Sequence, residues 1–173
     1  MKFHLSAFNI YLLCALMCLP MGCASSSKKK KGKERAILRI HLQAQLQTSA
    51  LANSTPISVY REKPVLIDVE NDPVIFEVHI EKVEVIDEMG AFSIRVTLNR
   101  QGTWLLQNIT AQRRNSHMAI LGVYKDIRWL GAPYIDRTIT DGIITFTPDA
   151  TRAEADEFVK RLNETLKEVK DKL

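Results

Sequence analysis

The chain has 173 residues, 46% of them hydrophobic and 25% charged, enough for one domain with its own core behind a leader. Its formal net charge of +4 is confined to the start: from Ala36 onward 17 Lys and Arg face 19 Asp and Glu, so the foldable part lacks the basic face of a nucleic-acid-binding domain. All three cysteines, Cys14, Cys18 and Cys23, precede residue 24, which excludes a disulfide or cysteine–metal framework from the body of the chain.

Met1 to Gly22 carries Lys2 and His4, continues with "IYLLCALMCLPM" and ends on a small residue. That run is short for a bilayer span and fits the apolar core of a signal peptide. "LPMGC" resembles a bacterial lipobox, with Pro20 where that pattern has leucine. The resemblance implies cleavage before Cys23 and acylation of its thiol and new amino group. Two alternatives stay open. An ordinary signal peptidase could cut after Ala24 and release a soluble protein. With no cut at all, Lys28–Lys31 and Lys33 would hold their side in the cytoplasm by the positive-inside rule. If Cys23 is acylated, residues 23–35 form a lipid-anchored polybasic tether. One acyl chain holds a protein only marginally, and each lysine of Lys28–Lys33 adds about 1 kcal/mol beside anionic headgroups; the alternative is a solvated tether. The lipoprotein reading places the chain in the bacterial envelope facing the periplasm. Ala24 after the cysteine, rather than Asp, favours the outer membrane over the inner.

From Ala36 the chain reads as strands. "ILRIHLQAQL" (37–46) alternates with period two, His41 falling on the polar side. "PISVYR" and "KPVLIDVEND" predict two short strands. "VIFEVHI" puts Phe76, Val78 and Ile80 on one face and Glu77, His79 and Glu81 on the other. The phase slips at Lys82 before "VEVI", which predicts a bulge or an element boundary. "AFSIRVTL" after the turn-like "DEMG" predicts a hairpin. Asn99 is a good N-cap for a helix of about 14 residues with Leu105, Ile109 and Gln112 on adjacent turns. "HMAILGVYKDIRWLGAPYI" returns to strand with a bend at Tyr124-Lys125-Asp126, and "GIITFTPD" is a last strand. From Thr151, the stripe Ala155, Phe158, Val159, Leu162, Leu166, Val169 and Leu173 predicts a C-terminal amphipathic helix. The order of elements predicts an α+β domain, a largely antiparallel sheet with two helices packed on one face.

No motif here requires catalysis. Same-face residues on a strand lie about 7 Å apart, too far for Glu77, His79 and Glu81 to converge on one ion unaided, so they read as a solvated face. Asp136 and Asp141 read as turn residues. Gly102, Gly122, Gly131 and Gly142 are isolated, each explicable as a turn or bulge residue, and make no phosphate loop. The Asn-x-Ser/Thr sequences at Asn53, Asn108 and Asn163 carry no meaning in a bacterial export setting. The reading is therefore no enzyme, no metal, no cofactor, no nucleic acid and no small-molecule substrate.

The series "MAILGVY" (118–124), "GAPYI" (131–135), "ITDGIITF" (139–146) and "TRAEADEFVKRL" (151–162) resembles the head of the first periplasmic domain of SecD, the accessory subunit of the bacterial Sec translocon. The resemblance is best over 92–163 and extends to a SecD-head-like domain over 36–173. It rests on packing and turn positions, among them Ala132, Pro133, Gly142 and Ala155, so it carries fold more securely than function. The later membrane helices and intramembrane acids of SecD have no counterpart in this sequence. Arg128 and Trp129 stand where the family pattern is apolar and small. Both types are enriched at binding hot spots, which makes the pair a possible partner contact; the alternative is Trp129 in the core with Arg128 lying alongside it. The resulting expectation is a non-enzymatic envelope lipoprotein whose domain binds protein, either an exported chain or a translocon component. The alternative is a scaffolding envelope lipoprotein with no export role.

Overall fold

The computed structural model describes residues 34–45, 53–88 and 90–172. The leader, Cys23, Lys28–Lys33 and Leu173 lie outside them. Among the described residues eight strands and two α-helices follow in chain order: β1 (Ile37–Leu42), β2 (Ser54–Val59), β3 (Val65–Glu70), β4 (Ile80–Glu88), β5 (Ala91–Leu98), α1 (Arg100–Gln112), β6 (Met118–Tyr124), β7 (Asp126–Gly131), β8 (Ile143–Phe146) and α2 (Arg152–Lys170). Every strand pairing is antiparallel, so the α+β class with two helices stands. The strands are divided among two three-stranded sheets, β1-β6-β7 and β4-β5-β8, and the separate hairpin β2-β3.

Period-two alternation decides which face of each sheet is buried. In the second sheet, Val83, Ile94, Val96, Leu98, Ile144 and Phe146 share the inner face and are all buried. In the first, Leu38, Ile40 and Leu42 stand opposite Gly122, Ile120 and Met118 on the inner face. Leu106 from α1 and Ala155, Phe158, Val159, Leu162 and Leu166 from α2 complete one common core. The helix α2 starts on Thr151, whose hydroxyl and Glu154 form a reciprocal capping box. In α1, Asn99 Oδ1 accepts the Gly102 N–H at 2.9 Å, as an N-cap should. The buried stripe of α1 is Gly102, Leu106 and Thr110, one residue out of phase with the expected Leu105, Ile109 and Gln112. Thr110 can be buried because its hydroxyl donates to the Leu106 carbonyl at 2.7 Å and accepts the Ile139 N–H at 2.9 Å.

The bend at Lys125 and the slip at Lys82 are both present: Lys125 takes φ 59°, and the β4-β5 register shifts between Ile80 and Lys82. The strand expected over "VIFEVHI" is not. Ile75 bridges to Ile40, and Glu77–His79 then forms a 3-10 turn. Asn99 fixes that turn, its side chain donating to the Val78 carbonyl at 2.8 Å and its N–H to the His79 carbonyl at 2.9 Å. His79 is consequently buried, Phe76 is exposed, and Glu77, His79 and Glu81 do not make a solvated sheet face. Burial lowers the pKa of His79.

Two glycines have specific tasks. Gly142 sits at φ +70°, a turn conformation that favours glycine, against Thr103. Gly122 is neither turn nor bulge. It lies mid-strand, where a Cβ would stand 2.5 Å from Leu130 Cδ1 and 3.4 Å from Phe158 Cζ, so its absence lets β7 and α2 close on the first sheet.

The free edge of β4 is occupied by side chains of α2. Asn163 donates to the Val83 carbonyl at 2.7 Å and accepts the Val83 N–H at 3.1 Å, while Lys170 Nζ reaches the Glu81 carbonyl at 3.0 Å. The asparagine amide thus substitutes for a neighbouring strand, satisfying an edge that would otherwise be open to another chain.

Candidate contact surface on β7

Among the described residues the strand β7 ends the first sheet, with β6 as its only strand neighbour. Alternation sends Arg128 and Trp129 to opposite faces. Arg128 turns inward to the start of α2, its guanidinium 3.5 Å from Glu154 Oε2 and 3.8 Å from Asp126 Oδ2. Trp129 turns outward and packs edge-on against the His41 ring, centroids 5.3 Å apart at 77°. The two residues of the expected contact lie on one strand with opposite aims, and both border the groove between β7 and the hairpin β2-β3.

The Arg128 side opens on a hollow of about 130 Å³ with an apolar floor of Ile94, Gly122, Leu130, Ala155 and Phe158. Its rim is charged. Lys125 Nζ lies 2.7 Å from Glu157 Oε2, and the Tyr124 hydroxyl donates to Glu157 at 3.0 Å. These two bonds hold the Glu157 carboxyl below the usual carboxylate range. For Glu154 the Thr151 N–H does the same first, with the Thr151 hydroxyl and Arg128 adding to it. The rim therefore stays ionised through neutral pH.

The Trp129 side is the outer face of the first sheet, and it is apolar but for Arg39 and His41. Register puts Ile37, Val123 and Ile127 in one row and Arg39, Leu121 and Trp129 in the next. The hairpin β2-β3 covers only one end, where Ile57, Val59, Ile67 and Val69 pack on Ala119 and Ala132, with Trp129 at the margin. His41 shares this outer face with Arg39, as alternation requires, but the hairpin covers it and leaves it 6% exposed. The other end is bare: Ile127 is 74% exposed. A groove of about 600 Å³ runs between hairpin and β7, bordered by Tyr60, Arg61, Ile127, Trp129 and Asp149. Its walls are pinned by the Ala132 N–H donating to the Tyr60 hydroxyl at 3.1 Å and by Arg61 on Asp149 at 3.1 Å. The Asp149 N–H in turn donates to the Leu130 carbonyl at 2.7 Å, closing the end of the β7 edge.

Sequence reasoning chose β7 but missed Ile127, Tyr60 and His41. Ile127 was recoverable, because a bend at Lys125 sets it opposite Val123. Tyr60 and His41 were not, since nothing local announces that a distant hairpin folds over this face. Among the described residues there is no group of three or more His, Cys, Asp or Glu placed to hold a metal ion, and no helix long and apolar enough to cross a membrane. Asp141 is the expected turn residue, its carboxylate accepting the Ile143 N–H at 3.0 Å.

Fold and surface together define an α+β module of antiparallel sheets and two helices that offers a strand edge between two hollows. Two solved structures of SecDF share that fold. One, of SecDF in a super-membrane-facing form, is 20% identical with a TM-score of 0.55, covering 75% of this chain and 19% of that one. The other, of SecDF as a membrane component that enhances protein export, is 17% identical with a TM-score of 0.52, covering 94% of this chain and 70% of that one. The chain thus spans about a fifth of the length of the first. At these identities the likeness establishes the fold, which is SecD-like. No protein-family model and no curated protein matches the chain.

Proposed function

We propose that this chain is a non-enzymatic, lipid-anchored envelope protein whose SecD-like domain binds protein in the setting of protein export. Acylation of Cys23 and the lysines Lys28–Lys33 would hold it to the membrane facing the periplasm, the outer membrane being favoured. The partner is an exported chain or a translocon component, met at β7 by way of Arg128 and Trp129. The observation that carries the reading is the terminal strand β7, flanked on one side by the apolar-floored Arg128 hollow and on the other by bare Ile127 and half-buried Trp129, on a fold shared with an export-enhancing protein. An extended segment lying along such an edge would gain main-chain hydrogen bonds, and its alternate side chains would fall into the two hollows.

The test is photo-crosslinking in cells from a reactive amino acid at position 127, compared with one at exposed Lys160 on α2. Many newly exported chains crosslinked from 127 alone support client binding at β7. One stoichiometric translocon component supports the second form of the reading, one stoichiometric partner outside the translocon supports the scaffolding alternative, and equal yields from both positions reject β7 as the site.

A further inference from the structure

We infer that His41 is a pH-sensitive latch that decides whether the β2-β3 hairpin stays closed over the Trp129 face of the first sheet. The inference rests on the reading of that face as a contact surface and names its regulation.

His41 is the polar residue at the centre of an otherwise apolar seam. Its Nδ1 lies 3.0 Å from the Glu70 carbonyl at the end of β3, which makes Nδ1 the protonated nitrogen and the donor. That leaves Nε2 with a lone pair, and Nε2 is buried without any hydrogen-bond partner, beside the Trp129 ring. The neutral ring is tolerated there. A second proton would place an unpaired N–H and a positive charge in the seam, a state far more costly than a buried lone pair.

The charged neighbours do not supply a counterion. On its own strand the nearest is Arg39, which opposes protonation. From the hairpin come Glu70 and Asp72; the Glu70 carboxylate is held by Arg113 at 2.7 Å from the end of α1, and Asp72 exerts only the weakest of the influences on the ring. The neighbours from β6 and β7 in this seam, Ala119 and Trp129, are uncharged. Burial is the largest effect and pushes the imidazole below its ordinary range.

The linkage then has one sign. The open hairpin, with His41 in water, binds protons with the ordinary value near 6.5, and the closed hairpin resists them. Closure is therefore fully favoured above that value and loses ground as pH falls below it. Opening would uncover Trp129 and Ala119 beside the row of half-buried Ile37 and Val123 and exposed Ile127, enlarging the apolar part of that face.

The experiment is hydrogen exchange on the full-length protein in detergent at pH 7.5 and 5.0, corrected for intrinsic rates. It compares peptides from 54–70 with peptides from 92–98 in the second sheet. A ring that cannot protonate while closed sets a ceiling of about 30-fold on the loss of hairpin protection between the two pH values. We expect a loss of several-fold up to that ceiling in 54–70, exceeding any change in 92–98. His41→Asn keeps an amide donor near the Nδ1 position and does not titrate, so its hairpin should be equally protected at both pH values. Equal protection in the wild type at both pH values, or the same loss in His41→Asn, overturns the latch. Should the variant fail to seat its hairpin, the wild type decides alone: the His41 ring protons must titrate in step with hairpin opening, and titration under a closed hairpin overturns it too. No partner enters this experiment, so its failure leaves the crosslinking result at β7 untouched, and the reverse.

Discussion

Replacing Asn163 with alanine should destabilise the protein far more than a polar residue on an amphipathic helix has reason to. The side chain satisfies both backbone groups of Val83, the N–H at 3.1 Å and the carbonyl at 2.7 Å, on a strand whose outer edge has no other strand among the described residues. Orphaning a buried backbone group costs about 1–3 kcal/mol. Two of them, less the roughly 0.5 kcal/mol by which alanine outranks asparagine in a helix, give a loss of about 1.5–5.5 kcal/mol. Urea denaturation followed by tryptophan fluorescence reads this through Trp129, which is half-buried in the native state. Asn163→Asp separates the hydrogen bonds from size: its carboxylate still accepts the Val83 N–H but meets the carbonyl with lone pairs. It should be at least as damaging as alanine at pH 7.5 and recover as the pH falls and the acid becomes a donor. A vacated β4 edge should also make the alanine variant self-associate with concentration. A stability within 0.5 kcal/mol of wild type, with no self-association, refutes the idea that Asn163 stands in for a strand.

Gly122→Ala should cost about 1–3 kcal/mol through overpacking, because its Cβ would stand 2.5 Å from Leu130 Cδ1; a neutral denaturation midpoint contradicts this. Leu162→Ala, at a fully buried position, should cost about 2–5 kcal/mol by the same assay. Arg128→Ala breaks only partly exposed ion pairs with Asp126 and Glu154, so about 1 kcal/mol or less should be lost while crosslinking from β7 falls; intact crosslinking would remove Arg128 from the contact. His79 is buried and its pKa is lowered by that burial. Its contribution is complete above about pH 6.5 and declines as pH falls further, by up to about 1.4 kcal/mol per pH unit. His79→Gln should flatten this part of the pH profile, and an unchanged slope would exclude His79 as its source.

What could be read without coordinates follows from how local each cause is. The α2 stripe from Ala155 to Leu166 repeats at three and four residues, and all five of its residues in that span are buried. The β6-β7 bend at Lys125 and the bulge before Val83 are written in neighbouring residues and appear where expected. The errors come from partners distant in sequence. His41 was assigned to water because alternation knows two faces, not that a hairpin at 54–70 covers the second. His79 was placed on a strand because the turn that buries it is fixed by Asn99, twenty residues on. The role of Asn163 has no signal in the sequence because its partner is the backbone of Val83, eighty residues earlier. The proposed contact strand is legible in the Arg128-Trp129 pair, which departs from the SecD pattern that the sequence resembles, while the opposite aim of the two side chains requires the sheet.

The proposed address and the proposed role both depend on the state of Cys23. Intact mass spectrometry of the mature protein extracted from its native membrane tests it directly. The account predicts a chain beginning at Cys23 with the added mass of its acyl groups. A mass retaining residues 1–22, or one beginning after Ala24 with no lipid, contradicts it.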